Sequence, residues 1–281
     1  MSTGAPVIDP QAQPSAPESG APVVVFKGVS IGFNGKPVLH DISFTVKTGE
    51  TLIILGPAGC GKSVLMKLAN GLLRPDSGTI DIFGQEITSM REVDLYKLRG
   101  RIGMVFQESA LFDSLSVEDN VAYRLNEEGV PEEESHRRVV EALRFVELEQ
   151  AIDKFPSELS GGMRRRVSIA RAIISQPDLI LYDSPTGGLD PITSTTIIDL
   201  VVKQRDVSHT TSLLITHRLQ DAFTLVTHRY NQQTNTMEPI PDHGIDPNTR
   251  FLVLNDGHIV FYGTTQELVG SEDPWLKNFI S

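Results

Sequence analysis

Residues 56 to 63 read Gly-Pro-Ala-Gly-Cys-Gly-Lys-Ser, a type and spacing suited to holding phosphate. Gly56, Gly59 and Gly61, with Pro57, Ala58 and Cys60 between them, let backbone N–H groups curl around phosphate oxygens. Lys62 reaches β- and γ-phosphates, and Ser63 offers its hydroxyl to Mg2+. A chance glycine-rich turn needs no particular neighbours, whereas here both neighbours fit. Thr51 to Leu55 is a short apolar run ending in glycine, the pattern of a buried strand. Val64, Leu65, Leu68 and Leu72 then recur at helical spacing, so the loop would open on a helix N-terminus that attracts anions.

A second carboxylate-bearing strand end lies downstream. Leu179-Ile180-Leu181-Tyr182-Asp183 ends an apolar run on Asp183, placed to hold the Mg2+ hydration shell opposite Ser63. A lone aspartate at a strand end also serves as a cap, but the phosphate loop gives this one a metal to meet. Ser160-Gly161-Gly162 starts a helix with two glycines, which is an anion site by backbone geometry and, taken alone, an ordinary helix cap.

Those residues need a frame. Val23 to Ile31 and Ile42 to Val46 are β-branched runs separated by Asn34-Gly35-Lys36-Pro37, which predicts antiparallel strands. Thr79 to Phe83 and Ile102 to Phe106 read as further strands. Between about 107 and 176 the pattern turns helical. Ser116 caps one helix with Asp119 at its third position, Pro131 opens another that starts acidic, and Ser160 caps a third running through Arg164-Arg165-Arg166 to Ile174. Three helices without a strand predict a helical subdomain inserted into an α/β core. Alternation then resumes: strand, helix from Pro191 to Arg205, strand from Ser212 to Thr216, helix from Leu219 to Val226. Residues 229 to 249 are polar, with three prolines and three asparagines, and are expected as a loop insertion before strands at Phe251 to Leu254 and His258 to Tyr262.

Composition narrows the classes. With 281 residues and 40% hydrophobic side chains the chain can bury a full core. A net charge of -11 disfavours nonspecific binding to nucleic acid, so no nucleic-acid partner is expected. No apolar stretch approaches the roughly 18 residues of a membrane span, so a membrane role would need another chain. Cys60 is the only cysteine, which excludes an intrachain disulfide. The first 22 residues hold five prolines and no Lys or Arg, and are expected as a disordered leader.

In their order and spacing these motifs resemble the ATP-binding cassette (ABC) ATPases, from residue 23 to about 270, leaving a C-terminal tail at 271–281. Leu159-Ser160-Gly161-Gly162-Met163 looks like that family's signature, with Met where Gln is usual. Gln107 matches the glutamine that contacts Mg2+ and the helical subdomain. Gly188-Leu189-Asp190 matches the loop that crosses a dimer interface, and His217 the histidine that contacts the γ-phosphate. Phe33 matches the aromatic residue that stacks on adenine, although an ordinary strand aromatic reads the same way. The resemblance implies an α/β fold: a P-loop NTPase core with an inserted helical subdomain and an N-terminal antiparallel β subdomain. It also implies ATP and Mg2+ as cofactors and a head-to-tail dimer, with itself or with another ABC chain. Each ATP would lie between the Lys62 loop of one subunit and the Ser160 signature of the other. A membrane permease is the implied partner, at the cytoplasmic face of the inner membrane.

A narrower similarity is to the ATPases of Mla/MCE lipid-transport systems. It is carried by Gln107-Glu108-Ser109-Ala110-Leu111-Phe112-Asp113-Ser114-Leu115, Met163, Asp190-Pro191-Ile192-Thr193 and the tail Ser271-Glu272-Asp273-Pro274-Trp275 with Phe279. It implies an MCE-type lipid-binding subunit in the same complex and phospholipid or a related lipid as cargo. A nutrient or drug transporter ATPase is the alternative within the fold.

One position departs from the family. Ser184 stands where the resemblance expects the glutamate that polarises the attacking water, and a serine takes up no proton at neutral pH. Slow hydrolysis with His217 and Asp190 helping is the reading preferred here, because every other nucleotide motif is intact. A non-hydrolysing, nucleotide-gated scaffold and pairing with a competent ATPase chain are the others.

Overall fold

The structure is a computed structural model that describes residues 20–280. Residues 1–19, most of the leader expected at 1–22, lie outside the described residues, and Pro22 already pairs in the first strand.

Two long strands, β1 (Pro22–Phe33) and β2 (Lys36–Lys47), are joined by the Asn34-Gly35 turn and pair antiparallel from Pro22 against Lys47 to Phe33 against Lys36. β3 (Thr51–Leu55) runs into α1 (Lys62–Ala69). β4 (Ser77–Ile82) and β5 (Gln85–Glu86) complete an antiparallel sheet in the order β2-β1-β4-β5. Next comes α2 (Glu92–Arg99), for which the sequence reading assigned no element. It buries only Leu95 and Leu98, too few apolar positions to show a helical period.

After β6 (Ile102–Val105) come α3 (Val117–Glu127), α4 (Glu132–Phe145) and α5 (Gly161–Ile173), with no strand between them. The caps are local. Ser116 accepts from the backbone N–H of Asp119, and Ser160 from that of Met163. Val121 and Leu125 of α3 meet Val139 and Leu143 of α4 in one buried cluster. β7 (Leu179–Asp183), α6 (Pro191–Ser208), β8 (Thr211–Ile215) and α7 (Leu219–Thr227) follow. Then come β9 (His228–Asn231), β10 (Thr236–Pro239), β11 (Thr249–Asn255), β12 (His258–Thr264), α8 (Thr265–Val269) and α9 (Pro274–Ile280).

The central sheet has the order β12-β11-β3-β8-β7-β6, parallel throughout except for β12 at its edge. Its strands are unbroken apolar runs because both faces are covered. Leu52, Ile54, Leu213, Ile215, Leu252 and Leu254 pack toward α1 and the antiparallel sheet. Their alternates Ile53, Leu55, Leu214, Phe251 and Val253 pack toward the helices.

The segment 229–249, expected as a loop, is instead partly a hairpin. β9 and β10 pair from Asn231 against Thr236 to His228 against Pro239. A buried ion pair beneath them explains the order. Arg205 of α6, its side chain 7% exposed, meets Asp206 at 2.6 Å and donates to the carbonyls of Leu225 and His228. Asp206 in turn accepts from the Tyr230 N–H at 2.7 Å. Lys203 sits between the rings of Phe145 and Tyr230, at 4.4 and 5.3 Å from their centroids. Arg205, Asp206, Lys203 and Phe145 all lie outside 229–249, so composition alone read as loop. The described part of the tail, 271–280, is also anchored: Leu276 is buried, and Trp275 stacks on Phe279 at 5.1 Å.

Replacing Arg205 with alanine leaves the half-buried Asp206 without its cation. Unfolding in denaturant should lose about 3 kcal/mol, and amide exchange across 228–246 should quicken. Unchanged stability and exchange would show that the hairpin holds without Arg205.

Candidate functional site

Parallel strands deliver their C-terminal ends to one edge of a sheet, and ligands bind there in open α/β folds. Here Ile215 of β8 pairs with Ile54 of β3 on one side and with Asp183 of β7 on the other. The next residues stay tied across the sheet: the Thr216 N–H donates to Ile54 O at 3.3 Å, and the Ser184 N–H to Ile215 O at 3.0 Å. The phosphate-type loop, Asp183-Ser184 and Thr216-His217 therefore emerge side by side.

The loop itself tolerates no extra atoms. A Cβ on Gly56, at φ +147, would lie 2.3 Å from the Leu254 carbonyl and 2.8 Å from Cys60 Sγ. Gly61, at φ +104, is the N-cap of α1 and abuts Leu39, where a Cβ would come within 2.5 Å of a methyl. No side chain caps α1 and no acidic residue sits in its first turn, so its leading N–H groups are free for an anion. Lys62 Nζ folds back on the carbonyls of Gly56 and Pro57, at 2.8 and 2.7 Å, with Cys60 Sγ at 3.7 Å. Gly59 and Ala58 occupy the open turn, and the Cys60 thiol is buried beneath it.

Ser63 Oγ donates to Asp183 Oδ1 at 3.4 Å. Burial pushes the Asp183 carboxyl above its usual range, opposed by that hydrogen bond and by the charges of Lys67 and Lys62. Gln107 follows β6 with an exposed side chain, and its Cγ would lie 3.2 Å from a Cβ on Gly187. A hydroxyl, a carboxylate and a carboxamide are hard oxygen donors, a set that fits Mg2+ better than a softer metal. Among the described residues no cluster of three or more His, Cys, Asp or Glu could hold a metal by itself. Phosphate oxygens and water would have to complete the shell.

Ser184 has φ +47, in the left-handed region that non-glycine residues seldom adopt. It is 8% exposed, and its hydroxyl makes no hydrogen bond among the described residues. Its carbonyl accepts from the Gly187 N–H at 2.9 Å, closing a turn. His217 is exposed and likewise unpaired. Asp190 caps α6, accepting from the Thr193 N–H at 3.0 Å and the Thr193 hydroxyl at 2.5 Å, which hold its carboxyl below the usual range.

Two expected groups stand away from the loop. Ser160 caps α5, Gly161 faces Leu189, and a Cβ on Gly162 would strike Thr193 at 2.4 Å. No hydrogen bond joins Ser160–Gly162 to residues 56–63 among the described residues. Phe33, 42% exposed, ends β1 beside the hairpin turn. Leu39 on the partner strand touches Gly61, which brings that hairpin to the loop.

Sequence reasoning missed Arg165. It is 3% exposed and donates to the carbonyls of Phe106 and Gln107 and, at 3.3 Å, of Gly187. Arg171 holds the next carbonyls, Ser109 and Ala110, at 2.9 and 2.7 Å. Burial pulls both guanidinium pKa values down. Successive side chains on a helix point about 100° apart, so the run Arg164-Arg165-Arg166 spreads over more than half the helix without showing which, if any, of the three faces inward.

Residues 39–187 match the model of a family described as ABC transporter. The probable ribonucleotide transport ATP-binding protein mkl of Mycobacterium tuberculosis is 34% identical over 273 residues, covering 96% of this chain and 70% of that protein. The methionine import ATP-binding protein MetN 2 of Bacillus cereus is 44% identical over 195 residues, covering 69% of this chain and 58% of that one. The chain thus spans little more than half the length of that relative. Among solved structures, the dimeric post-hydrolysis cassette MJ0796 bound to ADP and Pi superposes with a TM-score of 0.72 at 28% identity, covering 86% of this chain and 98% of that one. The cbiO1 protein of Clostridium perfringens, part of the cbiONQ transporter complex, gives 0.75 at 28% identity, covering 91% and 92%.

Because burial raises its pKa, the Asp183 carboxyl holds its proton more firmly in the folded protein than in the unfolded chain. Its contribution to stability is therefore present below the ordinary carboxylate pKa and lost as pH rises through its raised value. At pH 7 the ionised carboxylate is a cost. Without nucleotide, Asp183→Asn is expected to melt above the parent near neutral pH, with the gap closing as pH falls toward about 4. A lower or equal melting temperature at pH 7 would contradict the assignment.

Proposed function

The chain belongs to the ABC transporter ATP-binding family, and from that premise we propose that it is the ATP-hydrolysing, energy-coupling subunit of a membrane transporter for phospholipid or a related lipid. The convergence of Lys62, Ser63 and Asp183 at the C-terminal edge of the sheet carries the ATP reading. In it, Lys62 exchanges its two backbone carbonyls for phosphate oxygens, and the N–H groups of 59–63 line the same phosphates. Ser63, Asp183 and Gln107 hold Mg2+, which when bound neutralises charge on the β- and γ-phosphates. Phe33 offers its exposed face to adenine. Ser160, Gly161 and Gly162 close on the nucleotide of a second cassette in a head-to-tail dimer.

Phosphoryl transfer depends mostly on positioning and electrostatics, so Ser184 slows turnover without abolishing it. His217 is free to contact the γ-phosphate, and Asp190 anchors the start of α6 next to the signature glycines through Thr193.

No helix among the described residues is long and apolar enough to cross a membrane, so a permease partner supplies the passage. A groove of about 320 Å3 between the core and the helical segment supports such docking. Phe106, Phe112 and Tyr123 line it and are 36 to 44% exposed, and the rings of Phe112 and Tyr123 lie 4.8 Å apart. The protein then sits on the cytoplasmic face of the inner membrane.

The lipid reading rests on the Met163 signature, the 107–115 segment and the tail, with an MCE-type subunit in the same complex. The relative mkl, described as a probable ribonucleotide transport protein, aligns with 96% of this chain and 70% of its own length, so it does not favour a lipid over a small solute. The methionine-import relatives favour a second reading, import of a small solute, because their identity is higher over the region they share.

The complex purified gently from native membranes should turn over ATP with Mg2+, and Lys62→Ala should abolish that turnover. Stimulation by phospholipid vesicles but not by methionine or ribonucleotides supports the lipid reading; the reverse supports solute import. Ser184→Glu is expected to raise kcat roughly ten-fold or more, by restoring a base. Unchanged or lower kcat would mean that the missing carboxylate does not limit the rate.

A further inference from the structure

We infer that Asp221 is a positioning residue that ties the loop bearing His217 to the loop running from Ser184 to Asp190. The inference rests on the ATPase reading and adds a residue that none of the recognised motifs contains.

Asp221 lies in the first turn of α7 and is 4% exposed. Its Oδ2 accepts from the Thr186 hydroxyl at 2.5 Å and from the Thr216 hydroxyl at 3.4 Å. Its Oδ1 faces Arg218 Nε at 3.5 Å. Arg218 donates onward to Ser194 Oγ at 2.5 Å, and Ser194 donates to the Leu189 carbonyl at 3.5 Å. The Arg218 N–H also donates to Thr216 Oγ1 at 3.0 Å. These bonds form a ring. It leaves the 184–190 loop at Thr186, passes through Asp221 and Arg218, and returns to the same loop at Leu189.

His217 is the one residue between Thr216 and Arg218, and both neighbours are fastened to Asp221. Its own side chain makes no hydrogen bond among the described residues, so its place is set by its neighbours. Ser184 is in the same position on the other loop. Its hydroxyl is unpaired, and the nearest side-chain anchor is Thr186. One buried carboxylate therefore fixes the separation of two segments that must both stand at the γ-phosphate. Thr186, Thr216 and Ser194 are each at most 1% exposed, so water cannot replace a lost bond at these points. An amide at 221 would keep the size of the side chain but exchange one acceptor oxygen for a donor, which cannot satisfy both threonines and Arg218.

The test assays Mg2+-dependent ATP turnover of the full chain in its membrane complex, with Lys62→Ala as the blank. Asp221→Asn, Thr186→Val and the double variant are compared with the parent. Each single change is expected to lower kcat roughly ten- to hundred-fold, because misplacement of reacting groups by about 1 Å has that scale of cost. KM for ATP should stay within about two-fold and the double variant should be no worse than the more severe single, as for residues that act as one unit. A purely structural role would instead raise KM in step with a falling melting temperature, and that result overturns the inference. So does Thr186→Val with the parent's kcat, a variant that decides alone if Asp221→Asn does not fold. A parent that turns over while the variants match it defeats only this inference. A parent no faster than Lys62→Ala defeats the ATPase reading and this inference with it.

Discussion

The three central strands end in step. Ile215 pairs with both Ile54 and Asp183, and the next backbone N–H on each side continues the ladder one residue beyond the strands. That register is fixed by burial on both faces: slipping any strand by one residue would exchange its two sets of apolar side chains between two different cores. Everything at the site inherits this constraint. Lys62 and Ser63 follow β3, Asp183 and Ser184 end β7, and His217 follows β8. Their convergence is a property of the sheet edge rather than of contacts among the side chains themselves, most of which are few and weak. Ser63 to Asp183 at 3.4 Å is the only direct hydrogen bond across the strands among these groups.

Around that edge, buried charges do the anchoring. Arg165 and Arg171 of one helix bind backbone carbonyls from Phe106 to Ala110, where Ser109 and Ala110 take positive φ. A guanidinium with several fixed donors suits a run of carbonyls crowded at a sharp turn. Arg205 does the same beneath the 228–239 hairpin, and Asp221 does so with hydroxyls. In each case one ionic group ties together backbone or hydroxyl groups that are distant in the chain.

That pattern explains what the sequence made legible. The parallel core, the phosphate loop, Asp183 and the capped helices α3 and α5 rest on local signals: apolar runs, glycine spacing, and a serine three residues before a backbone donor. Strands bounded by turns could be read for the same reason. The hairpin at 228–239 could not, because its order depends on Arg205 and Asp206, more than twenty residues earlier in the chain. The same holds for α2, whose two buried leucines show no period, and for Arg165, which hides within a run of three arginines. Asp221, near a helix start, reads as a dipole-favoured first-turn residue until the fold brings Thr186 beside it.

Ser184 fits this division between backbone and side chain. The turn from 184 to 187 is built from main-chain groups: the Ser184 N–H on Ile215, its carbonyl to Gly187, and the Gly187 carbonyl to Arg165. Thr186, not Ser184, supplies the side-chain anchor. The left-handed φ at 184 is therefore imposed by neighbours and does not depend on which side chain is present. A carboxylate at this position would change the chemistry while leaving the frame intact, and a serine leaves the same frame without its base. In the ATPase reading proposed above, the cassette keeps the backbone frame of the site without a proton-taking group at 184, and the rate would then rest on geometry and on His217 rather than on general-base strength.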